Sequence, residues 1–180
     1  MHNHELTIDG FGAPIRLDRN KVVTGKEQGG GVCFYVNKKW CNTVFVREAL
    51  CTPDIELLSI SLRPFYLPRE FPQLFFTLVY IHPRANASRA IEHITDNIHK
   101  LDSISPDAPK FILGDFNHCF LNKTLKTCPT RFNKTIDLCF GTVPGAYTSL
   151  ALPHLDQPTT TACFWSLCTA QLSFSACSAL

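Results

Sequence analysis

Leu74-Phe-Phe-Thr-Leu-Val-Tyr-Ile81 is almost continuously apolar, the pattern of a central strand buried on both faces. The segment after this strand decides the fold class. From Ala87 to Leu101 the apolar residues Ala87, Ile91, Ile94, Ile98 and Leu101 recur every three or four positions, the stripe of an amphipathic helix. Arg89, Glu92, His93, Asp96 and Lys100 fall on its other face. A loop from Ser103 to Pro109 then leads into Lys110-Phe-Ile-Leu113, a second short apolar strand. Strand, helix and strand in succession predict a mixed α/β domain.

Upstream, Gly31-Val-Cys-Phe-Tyr-Val36 and Thr43-Val-Phe-Val46 read as strands. Ile55-Glu-Leu-Leu-Ser-Ile-Ser-Leu62 partly alternates, as a half-buried strand does. Arg63 to Pro72 carries three prolines and is expected to be a loop. Thr135-Ile-Asp-Leu-Cys-Phe140 is the last stretch that reads as a strand. Beyond about Pro153 the chain changes character. Thr159-Thr-Thr161 and the Ser-, Ala- and Cys-rich residues up to Leu180 have neither a clean period nor turn chemistry.

Composition bounds the answer without deciding it. The chain has 180 residues, enough for one domain with a sizeable core, and 45% are hydrophobic against 18% charged. A net charge of +2 predicts no nucleic-acid interaction by itself. No apolar run approaches the roughly 20 residues of a membrane span. Met1-His-Asn-His-Glu5 lacks the features of a signal peptide. The nine cysteines are an odd count with no Cys-x-x-Cys pair, so free thiols are expected rather than a disulfide framework or a zinc site. An intracellular location, nuclear or cytoplasmic, is the expectation. The sequons at Asn86, Asn122 and Asn133 then carry no glycan.

Chemistry concentrates at Phe111-Ile-Leu-Gly-Asp-Phe-Asn117. A strand ending in Gly-Asp-x-Asn sets a carboxylate and an amide at the strand's mouth, on the same side of an extended segment. That pair suits phosphodiester cleavage: the carboxylate orients or deprotonates a water, and the amide donates to a phosphate oxygen. Gly, Asp and Asn are also favoured turn residues, and taken alone the tetrad reads as a turn.

Its neighbours change that reading. Gln28-Gly-Gly-Gly-Val-Cys-Phe34 precedes one strand, Val79-Tyr-Ile-His-Pro83 closes another, and Ile136-Asp-Leu138 lies in a third. In this order and spacing, from about Leu6 to Pro153, the chain resembles the endonuclease/exonuclease/phosphatase (DNase I-like) superfamily. It looks most like the apurinic-type endonuclease domain of LINE-type (non-LTR) retrotransposons. The resemblance implies an α/β two-sheet sandwich flanked by helices, incomplete here at both ends. It implies DNA as partner, Mg²⁺ as cofactor, and nicking that leaves a 3′-hydroxyl to prime reverse transcription. Asp115 is the implied acid/base residue, while Asn117 and Tyr80 contact the scissile phosphate. Asp137 is the implied partner of a catalytic histidine. Alone, Tyr80 reads as a core tyrosine and Asp137 as a strand-edge charge. His82 and His118 match no family position.

Two elements of the family are not found. One is an asparagine- and glutamate-bearing strand that would precede Leu6 and hold the metal; Glu5 has no matching context. Without that carboxylate Mg²⁺ is not expected to be retained. The other is a C-terminal Ser-Asp-His. His154-Leu-Asp156 lies near its place in the wrong order. If the codons from Pro153 onward are read from the third base of each, the permitted residues include Pro-Leu-Gly-Ser-(Ala/Thr)-Asp-His-Asn-Cys-Val-Leu-Leu-Val. Residues 1–153 are therefore expected to be a partial domain and residues 154–180 a tail out of frame, Trp165 and its cysteines having no structural role. A second lesion is open where Lys123-Thr-Leu-Lys-Thr-Cys128 meets Pro129-Thr-Arg-Phe-Asn133; loop variation is the competing reading. The expectation is a degenerate endonuclease fragment without activity. The alternatives are a weakly active nuclease and a non-catalytic nucleic-acid-binding remnant.

Overall fold

The structure is a computed structural model, and it describes residues 7–25, 30–117, 137–142, 147–150, 162–167 and 170–175. For strand residues 137–140 and 147–150, and for those beyond 161, it describes the backbone alone. The elements run β1 (Ile15–Asp18), α1 (Lys21–Thr24), β2 (Gly31–Val36), β3 (Val44–Cys51), β4 (Ile55–Leu62), β5 (Leu74–Ile81), α2 (Ala87–Ile104), β6 (Lys110–Asp115), β7 (Asp137–Gly141), β8 (Tyr147–Leu150), β9 (Ala162–Leu167) and β10 (Ala170–Ser175). They form two five-stranded sheets, in the orders β1-β2-β10-β9-β8 and β3-β4-β5-β6-β7. The class is mixed α/β, as expected.

The β5–α2–β6 unit is the organising element. β5 and β6 pair in parallel, which a crossover helix makes possible. The other neighbours in the second sheet pair antiparallel. One face of that sheet packs on β2 through Val32, Phe34 and Val36 against Leu58, Ile60, Leu62, Leu74, Phe76, Leu78, Phe111 and Leu113. Phe76 and Phe111 stack there with centroids 4.9 Å apart, and Trp40 meets Phe76 edge-on at 6.4 Å. The opposite face carries Ile55, Leu57, Val79, Ile81 and Phe116 against Ala90 and Ile94 of α2. Each fully buried large apolar side chain in these layers contributes about 1.5–3 kcal/mol.

Covering both faces corrects the expectation for β4. All eight of its residues are buried, because its alternate positions meet β2 on one side and helix α2 on the other. Ser59 and Ser61, which gave it an alternating look, are hydrogen-bonded to Thr77 and Arg47. Ser59 Oγ and Thr77 Oγ1 lie 3.0 Å apart, Thr77 Oγ1 donates to Asn97 Oδ1 at 2.9 Å, and Asn97 Nδ2 donates to Glu48 Oε2 at 2.8 Å. Lys100 Nζ closes the chain on Glu48 Oε1 at 2.6 Å. Burial alone would raise the Glu48 pKa, but the hydrogen bonds from Lys100 and Asn97 outweigh it and hold the carboxyl below its ordinary range.

That ladder also turns the helix. α2 buries Ala90, Ile94, Asn97 and Leu101, while Ala87 and Ile91 of the expected stripe are exposed. Seating Asn97 against Thr77 and Glu48 rotates the buried face away from the purely apolar one. Asn86 caps the helix, its Oδ1 accepting from the N–H groups of Ser88 and Arg89.

Other boundaries moved outward. β3 extends to Cys51 and α2 to Ile104, and β6 runs through Asp115. The segment from Arg63 to Pro72 is a loop, as its prolines require. The tail differs most from expectation: Ala162–Leu167 and Ala170–Ser175 form a hairpin whose second strand pairs with β2, Phe174 opposite Phe34. Phe164 and Trp165 of the first strand are strand-favouring, and the second, Ala170-Gln-Leu-Ser-Phe-Ser175, alternates apolar and polar residues over a run too short to stand out in the sequence. Residues 118–136 and 151–161, which hold His118, both sides of the Cys128–Pro129 junction and His154-Leu-Asp156, lie outside the described residues. Cys41 and Cys51 are free thiols. Among the described residues no helix is long and apolar enough to cross a membrane.

Asn97→Ala removes the acceptor of Thr77 and the donor to Glu48 in a buried setting, and is expected to lower unfolding free energy by about 1–3 kcal/mol. Urea denaturation beside the exposed control Asp96→Ala checks this. Equal stabilities for the two variants would show that the ladder does not hold the helix.

Candidate functional site

Alternation along the strands fixes which side chains meet between the sheets. In β5, Leu74, Phe76 and Leu78 face β2, and so does Tyr80 two residues on. In β6, Phe111 and Leu113 do, and Asp115 continues the series. In β4, Leu58, Ile60 and Leu62 place Glu56 on the same face. Cross-strand register then sets Glu56 opposite Tyr80, Tyr80 opposite Asp115, and Asp115 opposite Asp137. One row across four strands, at one end of the inter-sheet layer, thus holds three of the four site residues expected from sequence, Asp137 by its backbone position.

Gly114 is required for that row. Its φ is +137°, and a Cβ there would overlap the carbonyl oxygen of Val79 in β5. Only glycine lets β6 approach closely enough for Asp115 to pair beside Tyr80. The turn chemistry of Gly-Asp-x-Asn is real as well. Asp115 Oδ1 accepts from the Asn117 N–H at 2.9 Å, and Asn117 takes a left-handed φ of 47°. The Asn117 side chain does not reach into the row: its Nδ2 donates to the Ile81 carbonyl at 2.7 Å, tying the turn to the end of β5.

Two residues of the site were not singled out from the sequence. Glu56 is almost wholly buried, 3% exposed, and forms a close ion pair with Arg19. Arg19 lies over the Tyr80 ring, 5.1 Å from its centroid, as a cation over an aromatic face. The signals were present: a lone carboxylate inside the apolar run Ile55-Glu-Leu-Leu58, and a glycine run at residues 29–31. Gly30 has a φ of +100°, and a Cβ there would overlap the Arg19 guanidinium. Burial lowers the Arg19 pKa, but Glu56 more than compensates and the guanidinium stays charged. For Tyr80, burial is the largest influence and raises the phenol; Arg19 opposes it, Asp115 and Glu56 add to it, and the net direction is upward. At neutral pH Tyr80 is therefore a neutral hydroxyl, able to donate.

A pocket of about 230 Å³ adjoins this row, lined among others by Arg19, Asp54, Glu56, Tyr80, His82 and Arg84. His82, unassigned from the sequence, accepts the Arg84 N–H at its Nδ1, and Asp54 accepts the Asn86 N–H at 2.7 Å. These contacts anchor the loop into α2. Chemically the row offers a neutral phenol donor beside a carboxylate, which suits holding a phosphate oxygen next to a water.

A divalent ion fits these residues poorly. Among the described residues no three His, Cys, Asp or Glu side chains stand together as a metal-holding group, and Glu56 is committed to Arg19. Mg²⁺ needs several oxygen ligands in near-octahedral array. Against known families, curated proteins and solved structures, the chain has no match.

Gly114→Ala is expected to destabilise the fold on the order of 3 kcal/mol, from the clash with Val79 and the positive φ together. Urea unfolding of the variant reads this directly. A loss under about 0.5 kcal/mol would mean that β6 does not make the close approach to β5.

Proposed function

We propose that the chain is a part of a DNase I-like phosphodiesterase domain, of the kind carried by LINE-type retrotransposons, that faces DNA but does not cut it. The observation that carries this reading is the row Tyr80–Asp115–Asp137 across β5, β6 and β7, at one end of the layer between two sheets. The sequence resemblance implies these same residues as the phosphate-facing and proton-handling groups of the endonuclease. Residues that are distant in the chain share one row, which a set of unrelated turn and core residues has no reason to do.

Each group has a definable task. Tyr80, neutral at physiological pH, donates its proton to a non-bridging phosphate oxygen. Asp115 accepts from a water or from a sugar hydroxyl beside that phosphate. Asp137 fits the role of orienting an imidazole, but the sequence holds no Ser-Asp-His to supply one. Asn117, with an amide N–H given to Ile81, serves the turn rather than the substrate. What is left is a donor to the phosphate and an acceptor beside it, with no imidazole to stabilise the charge that develops in the transition state. Binding of that kind lowers no barrier.

Incubated with supercoiled plasmid and MgCl₂, the chain is expected to nick no faster than its Asp115→Ala variant. It is expected to bind duplex DNA with an affinity that falls steeply as salt rises. Nicking that Asp115→Ala abolishes would make the chain a working nuclease; no salt-dependent binding at all would remove the DNA-facing role.

A further inference from the structure

We infer that the pocket beside Tyr80 receives the base of an unpaired nucleotide whose edge carries an amino group, as cytosine does. The assignment deepens the proposed DNA-facing function and rests on it. The pocket's volume of about 230 Å³ is several times the ~30 Å³ share of one water, room for a single base rather than a duplex. Thr24 of α1 lines it, with Asp54 and Glu56 at the entry to β4 and His82 and Arg84 in the loop after β5. Tyr80 belongs both to this pocket and to the row with Asp115, so one ligand can touch both.

The wall of the pocket holds an unmet acceptor. Glu56 is 3% exposed, and among the described residues its Oε2 is the one buried side-chain polar atom without a hydrogen-bond partner. Its other oxygen pairs with Arg19. Buried carboxylate oxygens are held by donors, because an unmet one has given up its hydration for nothing. Glu56 lines the pocket, so the donor it calls for is one that a ligand brings. Charge narrows the choice. Arg19 and Arg84 balance Asp54 and Glu56, so the pocket as a whole requires no added cation, and a neutral N–H serves. Cytosine presents an N4 amino group that carboxylates accept from, whereas thymine presents an O4 acceptor that two carboxylates repel. Arg84 is exposed and supplies positive charge for the phosphate of the same nucleotide. His82, which matched no family position, accepts the Arg84 N–H at Nδ1 and so holds the backbone of that residue at the pocket.

The test uses the full chain without metal, titrated with dCMP and with dUMP and followed by backbone amide shifts. These ligands differ in that one carries an amino group where the other carries a carbonyl. The parent chain is expected to bind dCMP about tenfold more tightly, the scale of one hydrogen bond to a charged group. Glu56→Gln keeps an oxygen for Arg19 and turns the other acceptor into an N–H donor, and is expected to reverse the preference toward dUMP. A merely structural role of Glu56 produces no such reversal. N4,N4-dimethyl-dCMP lacks the donor and should bind the parent chain no better than dUMP, a comparison that stands if Glu56→Gln does not fold. Arg84→Gln should weaken dCMP and leave deoxycytidine unchanged. Equal binding of dCMP and dUMP, or no binding of dCMP at millimolar concentration, would overturn the assignment. A duplex with one unpaired cytosine, compared with a fully paired one, separates the two sources of the nucleotide: tighter binding of the former places it in DNA, and equal binding assigns the pocket to a free nucleotide. Selective dCMP binding without DNA binding would remove the DNA-facing reading and keep the pocket. DNA binding without a response to dCMP or to the unpaired cytosine would remove the pocket alone.

Discussion

Gly114 lies so close to the Val79 carbonyl that a methyl group there has no room, and that contact completes the parallel pairing of β5 with β6. Much else depends on it. Parallel neighbours need a crossover, so α2 must lie across one face of the sheet, where Ile55, Leu57, Val79 and Ile81 meet it. The other face is then left for β2 and its sheet. Tyr80 and Asp115, at the C-terminal ends of the two parallel strands, emerge side by side where the inter-sheet layer ends. A slip of β6 by one residue would send Asp115 to the helix side and part it from Tyr80.

The price of covering both faces is that polar groups within the strands are sealed in. Ser59, Thr77 and Asn97 answer this on the helix side with a hydrogen-bonded ladder that reaches the surface at Glu48 and Lys100. Arg19 and Glu56 answer it on the inter-sheet side with an ion pair. The two solutions differ in consequence. The ladder seats a helix through Asn97, whereas the ion pair lies against a residue of the site, Arg19 over the Tyr80 ring. Buried polar groups that are satisfied in this way specify an arrangement more than they add stability.

Much of the fold could be read from the chain. The unbroken apolar run of β5, the helical period after it, and Lys110-Phe-Ile-Leu113 defined the β-α-β unit, because burial on both faces leaves a mark in one dimension. What failed to show was whatever depends on a partner distant in sequence. β4 looked half-buried because Ser59 and Ser61 are polar, and nothing nearby reveals that Thr77 and Arg47 meet them. The buried face of α2 was misplaced because the apolar stripe passes over Asn97, a polar residue whose partners Thr77 and Glu48 are distant in sequence. β1 and β10 do alternate, but over only four and six residues, too short a run to stand out before their pairing with β2 is known. At the site, the register sets Tyr80, Asp115 and Asp137 in one row, a juxtaposition that no local pattern in the chain displays. Asn117 was expected at the phosphate and instead ties the turn to Ile81, while Arg19 and Glu56 escaped because an ion pair across 37 positions has no local signature.

The parallel register and the buried ion pair converge on one surface, the end of the inter-sheet layer at Tyr80 and Asp115. The most direct measurement is an NMR titration of the isotope-labelled chain with a short DNA duplex in the absence of metal, following backbone amide shifts. The largest changes are predicted to cluster at Arg19, Tyr80, Asp115 and the neighbouring ends of β4 and β7. Changes centred on the exposed face of α2, or spread evenly over lysines and arginines, would contradict a phosphate-facing role for this row.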